Sequence, residues 1–588
     1  MKIKYNSIIF LLLALFSACQ ITDTVPKDAI TDLNYWKKPD DLKLFANNLY
    51  TTLSTTLTSP VTLDNQSDNV ITGVQNTTLF NTLAVPGSGG GWSSGDWTNI
   101  RNCNYFLSHY QTVVGAQVDI NQYLGEIQFF RATEYFYKVR RFGDLPWIDK
   151  DLNVTDSTYL MAARAPMKTI VDHIITDLTA AITNLETPDL LQTGRINKYA
   201  AMQMLARVCL YEGTYLKYRN ITGYQTYLTT AATTTDAIMA TGKYDIVKAT
   251  AQYMIPGYPL YYRQQFIQED LTSNKECILP QIFTTGLLMQ GLTRSTDESG
   301  LGASKDFIED FLCTDGLPIA LSPLYKGDDS TQMEMANRDP RLRNMIDNKN
   351  LPYYLDGSKP IVYPVTPVTV SKCPTGYEIF KFRTPEPAQN EAIHSTIDWF
   401  LFRYAEVLLI NAEAKAELGT IQQADLDKTI NKLRARMDEP GSFVMGTLSL
   451  NPPVDPLAMI NGIPKYGYAV SPLIFEIRRE RRIELAFEGF RWDDICRWNA
   501  GKLIENPKTM LGLVVNSGVV ARYKMYNGGT DQFANRSLFS LTDWNGKTKT
   551  LLKVYTNTAR TWVDKLYLSP LPTTQLTLNP HLIQNPGW

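Results

Sequence analysis

Residues 194–213 read GRINKYAAMQMLARVCLYEG, a stretch in which apolar and small side chains recur at steps of three and four positions. Ala201, Leu205 and Val208 fall on one face of the helix that this spacing predicts. Alanine in such a stripe lets a neighbouring helix approach closely, and Gly213 is expected to end the helix. The segment therefore predicts a helix packed against another helix, in a mostly α-helical fold.

Further helices are predicted from the same spacing. In residues 399–419, Ala405, Leu409 and Ala412 form a second stripe, and Gly419 is the expected C-cap. Helices are predicted over residues 41–57, 98–113, 121–142, 167–185, 197–217, 224–241, 398–419, 422–437 and 472–500. Four segments are rich in Pro, Gly, Thr and Asn: residues 58–97, 250–300, 318–397 and 440–470. We expect them to be long irregular excursions that carry the binding function.

The composition indicates a large folded protein and excludes several classes of function. Its 588 residues are 44% hydrophobic, which allows a sizeable buried core. Lysine and arginine (57) nearly balance aspartate and glutamate (59), so the basic surface of a nucleic-acid-binding protein is not expected. The four histidines lie far apart in sequence, which excludes a zinc enzyme of the HExxH kind.

The amino-terminal residues predict a lipoprotein signal peptide. Two lysines precede an apolar run at residues 8–16, which is too short to span a bilayer. The run leads into LFSAC at residues 15–19, which resembles a bacterial lipobox. Residues 1–18 are then removed, and acylation of Cys19 holds the protein on a membrane. The alternative is an ordinary signal peptide in which the cysteine falls at this position by chance.

The six other cysteines show no CxxC pair and no metal-ligand spacing. In an oxidising compartment they could pair in many ways, and nothing in the sequence selects one. Several of them, such as Cys209, lie in apolar helical stretches, where a buried thiol is expected. We interpret these cysteines as mostly structural.

Sequence motifs follow one another along most of the chain. They are residues 130–147 (FRATEYFYKVRRFGDLPW), 194–213, 311–319 (FLCTDGLPI), 337–342 (NRDPRL), 403–419 (RYAEVLLINAEAKAELG), 430–436 (INKLRAR), 477–498 (IRRERRIELAFEGFRWDDICRW) and 567–588, which end in NPGW. In this order they resemble the SusD/RagB family of surface lipoproteins. The resemblance runs from about residue 126 to residue 588, and the lipobox supplies its beginning.

The resemblance implies a SusD-like fold with four tetratricopeptide-like helix pairs and long irregular ligand-binding loops. Residues 19–250 would form an N-terminal region with most of these pairs, and residues 251–588 a C-terminal region packed with it as one compact body. Family members are lipid-anchored to the outer membrane and face the cell exterior. They capture oligosaccharides, sometimes peptides, and deliver them to a SusC-like TonB-dependent transporter without catalysing a reaction.

Catalysis finds little support in the sequence. No GxSxG, P-loop or GxGxxG motif occurs. A glycosidase needs two carboxylates on opposite sides of a bound sugar, one of them with a raised pKa. The neighbouring acids at residues 297–298 and 328–329 lie in predicted loops, where solvation or calcium binding is more common. We expect no enzyme and no cofactor and leave a structural calcium ion open. A surface enzyme that acts on polysaccharide and a peptide-binding family member are the alternatives.

The densest run of charge lies at residues 478–497. Glu480, Glu484 and Glu488 recur at every fourth position, with Arg481 and Arg482 beside them. Mixed signs at this spacing are typical of an ion-paired helix surface. We therefore predict a structural role for this run on an ion-paired helix surface, and docking to the transporter is the alternative.

Two predicted loop regions offer the aromatic and polar side chains that sugar recognition requires. Their candidate ligand-binding residues are Asp64, Asn65, Asp68, Asn69 and Trp92 in the first region, and Arg294 and Asp297 in the second. The resemblance places ligand loops in the same two regions. Tyr353, Tyr354 and Tyr325 are further candidates in a long excursion. Trp97 is left out because it resembles a tryptophan that packs at a helix start in the family.

Overall fold

The structure is a computed structural model, and it describes residues 35–54, 64–248, 261–298, 300–346, 354–356, 359–361, 365–436, 445–556 and 559–588. Cys19 and Tyr353, two of the predicted functional residues, lie outside this part of the chain. The predicted boundary between residues 250 and 251 also lies outside it.

Helices are the main elements of the described residues, which confirms the mostly α-helical fold class. The longer helices are α1 (Pro39–Leu49), α2 (Thr98–His109), α3 (Gln117–Phe142), α4 (Met167–Asn184), α5 (Lys198–Lys217), α6 (Tyr224–Ala240), α7 (Tyr404–Leu418), α8 (Pro472–Glu484) and α9 (Ser517–Tyr526). Shorter helices are Thr51–Ser54, Ser157–Leu160, Tyr261–Gln264, Leu292–Glu298, Lys305–Asp310, Thr331–Met335, Pro340–Met345, Gln423–Lys428, Ile430–Arg434, Arg491–Arg497 and Thr573–Leu578. Single 3-10 turns are Ser94–Trp97, Tyr110–Thr112, Pro188–Leu190, Pro387–Asn390, Pro456–Ala458, Gly501–Glu505, Pro507–Met510 and Asp564–Tyr567.

Successive long helices pack side by side from α3 to α8. On α5, Ala201 and Val208 of the predicted stripe are fully buried. Gly213 does not end this helix as predicted but lies inside it, where an added Cβ would sit 2.7 Å from the Leu228 side chain of α6. The missing side chain therefore allows α6 to approach α5 closely. The number of tetratricopeptide-like pairs stays a prediction.

Short antiparallel strands occupy parts of the segments predicted to be irregular. They are β1 (Val70–Thr72), β2 (Cys277–Gln281), β3 (Leu301–Ala303), β4 (Tyr354–Asp356), β5 (Lys359–Ile361), β6 (Trp399–Arg403), β7 (Met459–Ile460), β8 (Ile463–Pro464), β9 (Leu511–Val514), β10 (Leu538–Thr542) and β11 (Thr548–Lys553). The pairs are β1–β3, β2–β6, β4–β5 and β7–β8, and β11 lies between β10 and β9.

The helix predicted over residues 398–419 divides into strand β6 and helix α7. In β6, Trp399 lies opposite Gln281 of β2, and Arg403 lies opposite Cys277. The partner strand is distant in sequence, so the local spacing of apolar residues could not reveal it. Gly419 ends α7 as predicted, with a left-handed φ of 72°.

Helix α8 is buried from residue 475 to residue 484, so the ion pairs predicted for a helix surface lie in the interior instead. Each successive charged side chain pairs with a different element, and the pairs are Arg478–Glu417, Arg479–Asp455, Glu480–Arg434, Arg481–Asp494, Arg482–Asp68 and Glu484–Arg403. A buried charge that loses its partner destabilises the fold strongly. The burial and pairing support the predicted structural role.

The helix predicted over residues 472–500 breaks after α8. Phe487 has a φ of 64°, which a bulky side chain rarely adopts, and Gly489 has a φ of 86°. The Phe487 backbone N–H donates to Oδ2 of Asp64 at 2.8 Å, which holds the turn. The short helix Arg491–Arg497 then lies against α5.

Within the described residues, no helix combines the length and the apolar character needed to cross a membrane. The six cysteines there are free thiols, and all but Cys277 are buried. Their burial agrees with the interpretation that they are mostly structural.

Candidate functional site

A cleft of about 820 Å³ opens between α3, α5, β6 and the segment that follows α8. Its volume lies in the range of small-molecule binding sites. We call it the main cleft. Its aromatic lining residues are Phe136, Tyr137, Tyr211, Trp399, Phe400 and Phe490. Its charged lining residues are Asp96, Glu134, Arg140, Arg141, Arg207, Arg403, Glu406, Arg481, Glu488, Asp493, Asp494 and Arg497.

The last turns of α3 form one wall. Glu134, Tyr137 and Arg141 are spaced three and four positions apart, so they share a face of the helix. Asn99 on α2 donates from Nδ2 to the Glu134 carboxylate at 3.0 Å. Gly143, with a φ of 72°, ends α3 directly after this face.

The opposite wall comes from the turn and short helix after α8. Arg140 of α3 pairs with Asp493 of the helix Arg491–Arg497. This ion pair joins the two walls, which belong to distant parts of the sequence. Because the break at Phe487 directs the short helix toward α5, the same turn that Asp64 holds also positions Asp493.

Three aromatic rings of the main cleft are accessible to a ligand. Tyr137 is 45% exposed, and Trp399 and Phe490 are half-buried. The Arg140 guanidinium lies 4.9 Å from the centre of the Tyr137 ring, and that of Arg207 lies 5.1 Å from the Phe490 ring. Since a cation favours a ring face, Tyr137 has one face occupied. Phe490 is more fully covered, because the Arg481 guanidinium also lies 5.6 Å from its ring centre.

The floor of the main cleft consists of paired charges. Arg207 donates from Nε and Nη2 to the two oxygens of Glu406 at 2.7 and 2.6 Å. Burial raises the pKa of Glu406, but the Arg207 guanidinium outweighs it and holds that pKa below its usual value. Arg481 donates from Nε to Asp494 at 3.0 Å, and Arg497 donates to the same carboxylate at 2.9 Å. Both carboxylates are therefore already engaged by guanidinium groups.

The charges that line the main cleft balance. Six arginines face six carboxylates among its lining residues. Two guanidinium nitrogens, Nε of Arg140 and Nη1 of Arg481, are buried without a hydrogen-bond partner among the described residues. The arrangement fits an uncharged, hydroxyl-rich ligand better than an anion.

Three candidate ligand-binding residues of the first predicted loop, Asp64, Asp68 and Asn69, lie in the interior, so the structure does not present them to a ligand. Asp68 accepts from Nε and Nη2 of Arg491 at 2.7 Å, and Asn69 accepts from Nε of Arg482 at 2.8 Å. Asp64 accepts from Nδ2 of Asn69 at 3.0 Å. Burial raises the pKa of Asp64 to about 6. These polar side chains neutralise and hold the segment around α8 instead of reaching solvent.

Trp92 is also an interior residue, with 4% of its surface exposed. Its ring meets those of Phe142 and Trp97 edge-on, at centre distances of 4.9 and 5.4 Å. The prediction of an exposed sugar platform is wrong because Trp92 covers the end of α3. Trp97 packs half-buried beside Lys138, in agreement with its exclusion from the site.

The other candidates lie apart from the main cleft. Asn65 is half-buried, and Arg294 is exposed on the short helix Leu292–Glu298, whose backbone also includes Asp297. Tyr354 begins β4. Tyr325 is half-buried, with the Arg338 guanidinium 5.5 Å from its ring. Among the described residues, none of the predicted site residues lines the main cleft.

Tyr137, Trp399 and Phe490 were missed because their segments were interpreted as scaffold. The signal for Tyr137 is an aromatic side chain between Glu134 and Arg141 on the polar face of a predicted helix. Trp399 and Phe490 carry no such signal, since their segments were predicted to be continuous helix.

One group of acids has the geometry of a metal site. Glu309, Asp328 and Asp543 bring carboxylate oxygens within 4.8 Å of one another. However, Lys305 lies 2.8 Å from Asp328, Lys508 lies 2.6 Å from Glu309 and Lys549 lies 3.3 Å from Asp543. Burial raises the pKa of Asp328, and the Lys305 ammonium lowers it to about 2. The three ammonium groups already neutralise these carboxylates, as a calcium ion would.

Two family matches cover most of the chain. Residues 292–588 match the SusD family, and residues 47–210 match a family described as "Starch-binding associating with outer membrane". A SusD-like protein from Formosa agariphila is 24% identical over 527 residues, which cover 86% of this chain and 92% of that protein.

Solved structures share the fold. A SusD-like carbohydrate-binding protein from Bacteroides fragilis has a TM-score of 0.66 at 22% identity, over 93% of this chain and 100% of that one. A laminarin-binding SusD-like protein has a TM-score of 0.54 at 18% identity, over 94% of this chain and 100% of that one.

Proposed function

The chain belongs to the SusD family, and we propose that it binds neutral glucans at the outer membrane without cleaving them. The observation that carries the proposal is the main cleft, where Tyr137, Trp399 and Phe490 surround paired polar groups. Aromatic faces bind the apolar side of a pyranose ring, while amides, carboxylates and guanidinium groups bind its hydroxyls. Balanced charge favours a neutral sugar, and the starch and laminarin in the names of related proteins suggest a glucan.

We further propose that Cys19 carries the lipid anchor, that the protein faces the cell exterior, and that a SusC-like TonB-dependent transporter receives the glycan. The lipobox-like residues 15–19 and family membership support this arrangement. If the anchored protein captures glycan beside the transporter, it raises the local concentration of the transporter's substrate.

The charges of the main cleft support binding without catalysis. Hydrolysis of a glycosidic bond needs one protonated and one ionised carboxyl group across the sugar. Glu406, Asp493 and Asp494 are each paired with arginine. Although burial raises the pKa of Glu406, the Arg207 guanidinium holds that pKa below its usual value. Burial raises the pKa of Glu134, whose carboxylate is held by the Asn99 amide. Of the two remaining lining acids, Asp96 accepts from the backbone N–H and the hydroxyl of Ser93, and Glu488 is paired with Lys381 and Arg403.

Calorimetric titration with maltoheptaose and laminarihexaose tests the proposal. Tyr137→Ala removes an aromatic face, and we expect a loss of about 1–3 kcal/mol, by analogy with bases stacked on aromatic side chains. This loss corresponds to a Kd weaker by about five- to hundred-fold. Tyr526→Ala is the matched control, because Tyr526 is 46% exposed, also lies near an arginine, and is outside the main cleft.

Binding of neither glucan by the unaltered protein would reject the proposal. Equal affinities of Tyr137→Ala and the unaltered protein would place the sugar elsewhere. Release of reducing ends from either glucan would favour the enzyme alternative. Binding of a peptide mixture, lost in Tyr137→Ala, would favour the peptide-binding alternative.

A further inference from the structure

Two smaller cavities adjoin the main cleft. The first has a volume of about 300 Å³ and shares Leu53 and Leu401 with the main cleft. The second, of about 390 Å³, shares residues 192–195 and Pro280 with the first. Because neighbouring cavities share lining residues, the three lie in a row, which we call the long groove.

The two smaller cavities lie beside residues 192–195, which come shortly before α5 in the chain. Near the middle of the long groove, Arg195 pairs with Glu126 of α3 at 2.5 Å, and Gln122 of α3 donates to the Ile196 carbonyl at 3.1 Å. Eleven residues of α3 separate Glu126 from Tyr137, which is about 16 Å along the helix axis at about 1.5 Å per residue. The path therefore extends from Tyr137 to the level of Glu126 on α3.

The middle of the long groove is rigidly held. Arg195 donates from Nε to Glu126 at 2.9 Å and from Nη1 to Asn47 at 2.9 Å. Its guanidinium lies between the rings of Tyr50 and Tyr123, 5.2 and 5.3 Å from their centres. A preformed path loses little conformational entropy when a ligand binds.

The far end of the long groove offers a second aromatic contact. Tyr244 is half-buried in the lining of the second small cavity, near the rings of Tyr199 and Tyr404. Its hydroxyl is buried without a hydrogen-bond partner among the described residues. Gln192 and Thr193 are exposed on the connecting loop and offer amide and hydroxyl groups. An aromatic ring beside such groups repeats the chemistry of the main cleft.

We propose that the long groove binds a linear glucan along its length, with Tyr137 in the main cleft and Tyr244 at the far end as separate aromatic contacts. This inference rests on the proposed function. The ligand is then an internal segment of a chain of several sugars, and a disaccharide occupies only part of the path.

The test compares two chain lengths of each glucan: laminaribiose with laminarihexaose, and maltose with maltoheptaose. Thr193→Trp places a bulky ring in the middle of the path from an exposed loop position, so the fold should be unaffected. We expect it to weaken binding of the long sugars at least about fivefold, as loss of one stacked aromatic contact would. Tyr244→Ala should have the same effect, and neither change should alter disaccharide binding in the main cleft. Circular dichroism checks that both variants are folded.

The outcomes separate this inference from the proposed function. If both variants bind the long sugars as the unaltered protein does, while Tyr137→Ala loses them, the glucan site stands and the long groove is rejected. The same holds if short and long sugars bind the unaltered protein equally well. If the unaltered protein binds none of the four sugars, both proposals fail.

Discussion

At the scale of single residues, Trp92 decides between a binding and a packing role for the first predicted loop. The ring is 4% exposed and lies against Phe142 at the end of α3. Trp92→Ala should lower the free energy of unfolding by about 3–5 kcal/mol, because it removes a large buried side chain and leaves a cavity. Urea denaturation followed by circular dichroism measures this change.

Trp544→Ala is the matched control for Trp92→Ala. Trp544 is 40% exposed at the turn between β10 and β11, so its removal should change stability little. Glucan affinity measured below the unfolding transition should be unchanged in Trp92→Ala. A stable Trp92→Ala variant with weakened glucan binding would instead restore Trp92 to the site.

The candidate residues of the first loop show where sequence-based prediction of the site fails. Asp64, Asp68 and Asn69 follow a segment rich in polar and small residues, which usually marks an exposed loop. Their partners Arg482 and Arg491 lie more than four hundred positions away in sequence. Since burial depends on those distant partners, the local composition could not predict it.

At the scale of elements, the packing of α5 between α4 and α6 encloses a carboxyl group. Glu212 is 1% exposed, and neither of its oxygens has a hydrogen-bond partner among the described residues. Burial, followed by the Asp172 carboxylate, raises its pKa from 4.5 to about 8, against the smaller opposing effects of Lys168 and Arg219. The folded protein thus holds a neutral carboxyl group on α5 at neutral pH.

This pKa predicts a dependence of stability on pH. Between pH values of about 4.5 and about 8, Glu212 keeps its proton in the folded protein and loses it in the unfolded chain. The unfolded state therefore binds fewer protons, and the contribution of Glu212 to stability falls as pH rises through that window. Glu212→Gln should remove this fall and raise Tm most at the upper end of the window.

Thermal unfolding across the same pH window checks the prediction. Glu391→Gln is the control, because the Glu391 side chain is 69% exposed and pairs only loosely with His394. Equal slopes of Tm against pH in Glu212→Gln and the unaltered protein would show that Glu212 does not carry the effect.

Element prediction succeeded where spacing within one segment determines the structure. The long helices α3 to α6 begin and end within a few residues of their predicted bounds, because their buried stripes are local. β6 was missed because it pairs with β2, far away in sequence. The face of α8 was mispredicted because alternating charge has the same pattern on a solvated helix and on one whose partners are buried.

At the scale of the whole molecule, binding depends on contacts between distant parts of the chain. Arg140 and Asp493 join the walls of the main cleft, and Arg164 donates to Asn585 near the C-terminus. Asp68 and Arg482 connect the first loop to α8. These contacts support the prediction of one compact body, in which no fragment would carry a complete cleft.

The proposed attachment of this body to the membrane involves Cys19, which lies outside the described part of the chain. If Cys19 carries the anchor, its acyl chains supply the membrane affinity, because each buried CH₂ group contributes about 0.8 kcal/mol. Cys19→Ala should move the protein from the membrane fraction to the soluble fraction after a high-salt wash, while the unaltered protein stays in the membrane fraction. Glucan affinity should be the same in both, since the main cleft lies in the folded body. Continued membrane association of Cys19→Ala after the wash would mean that another part of the protein holds it there, and that acylation at this position is not the anchor.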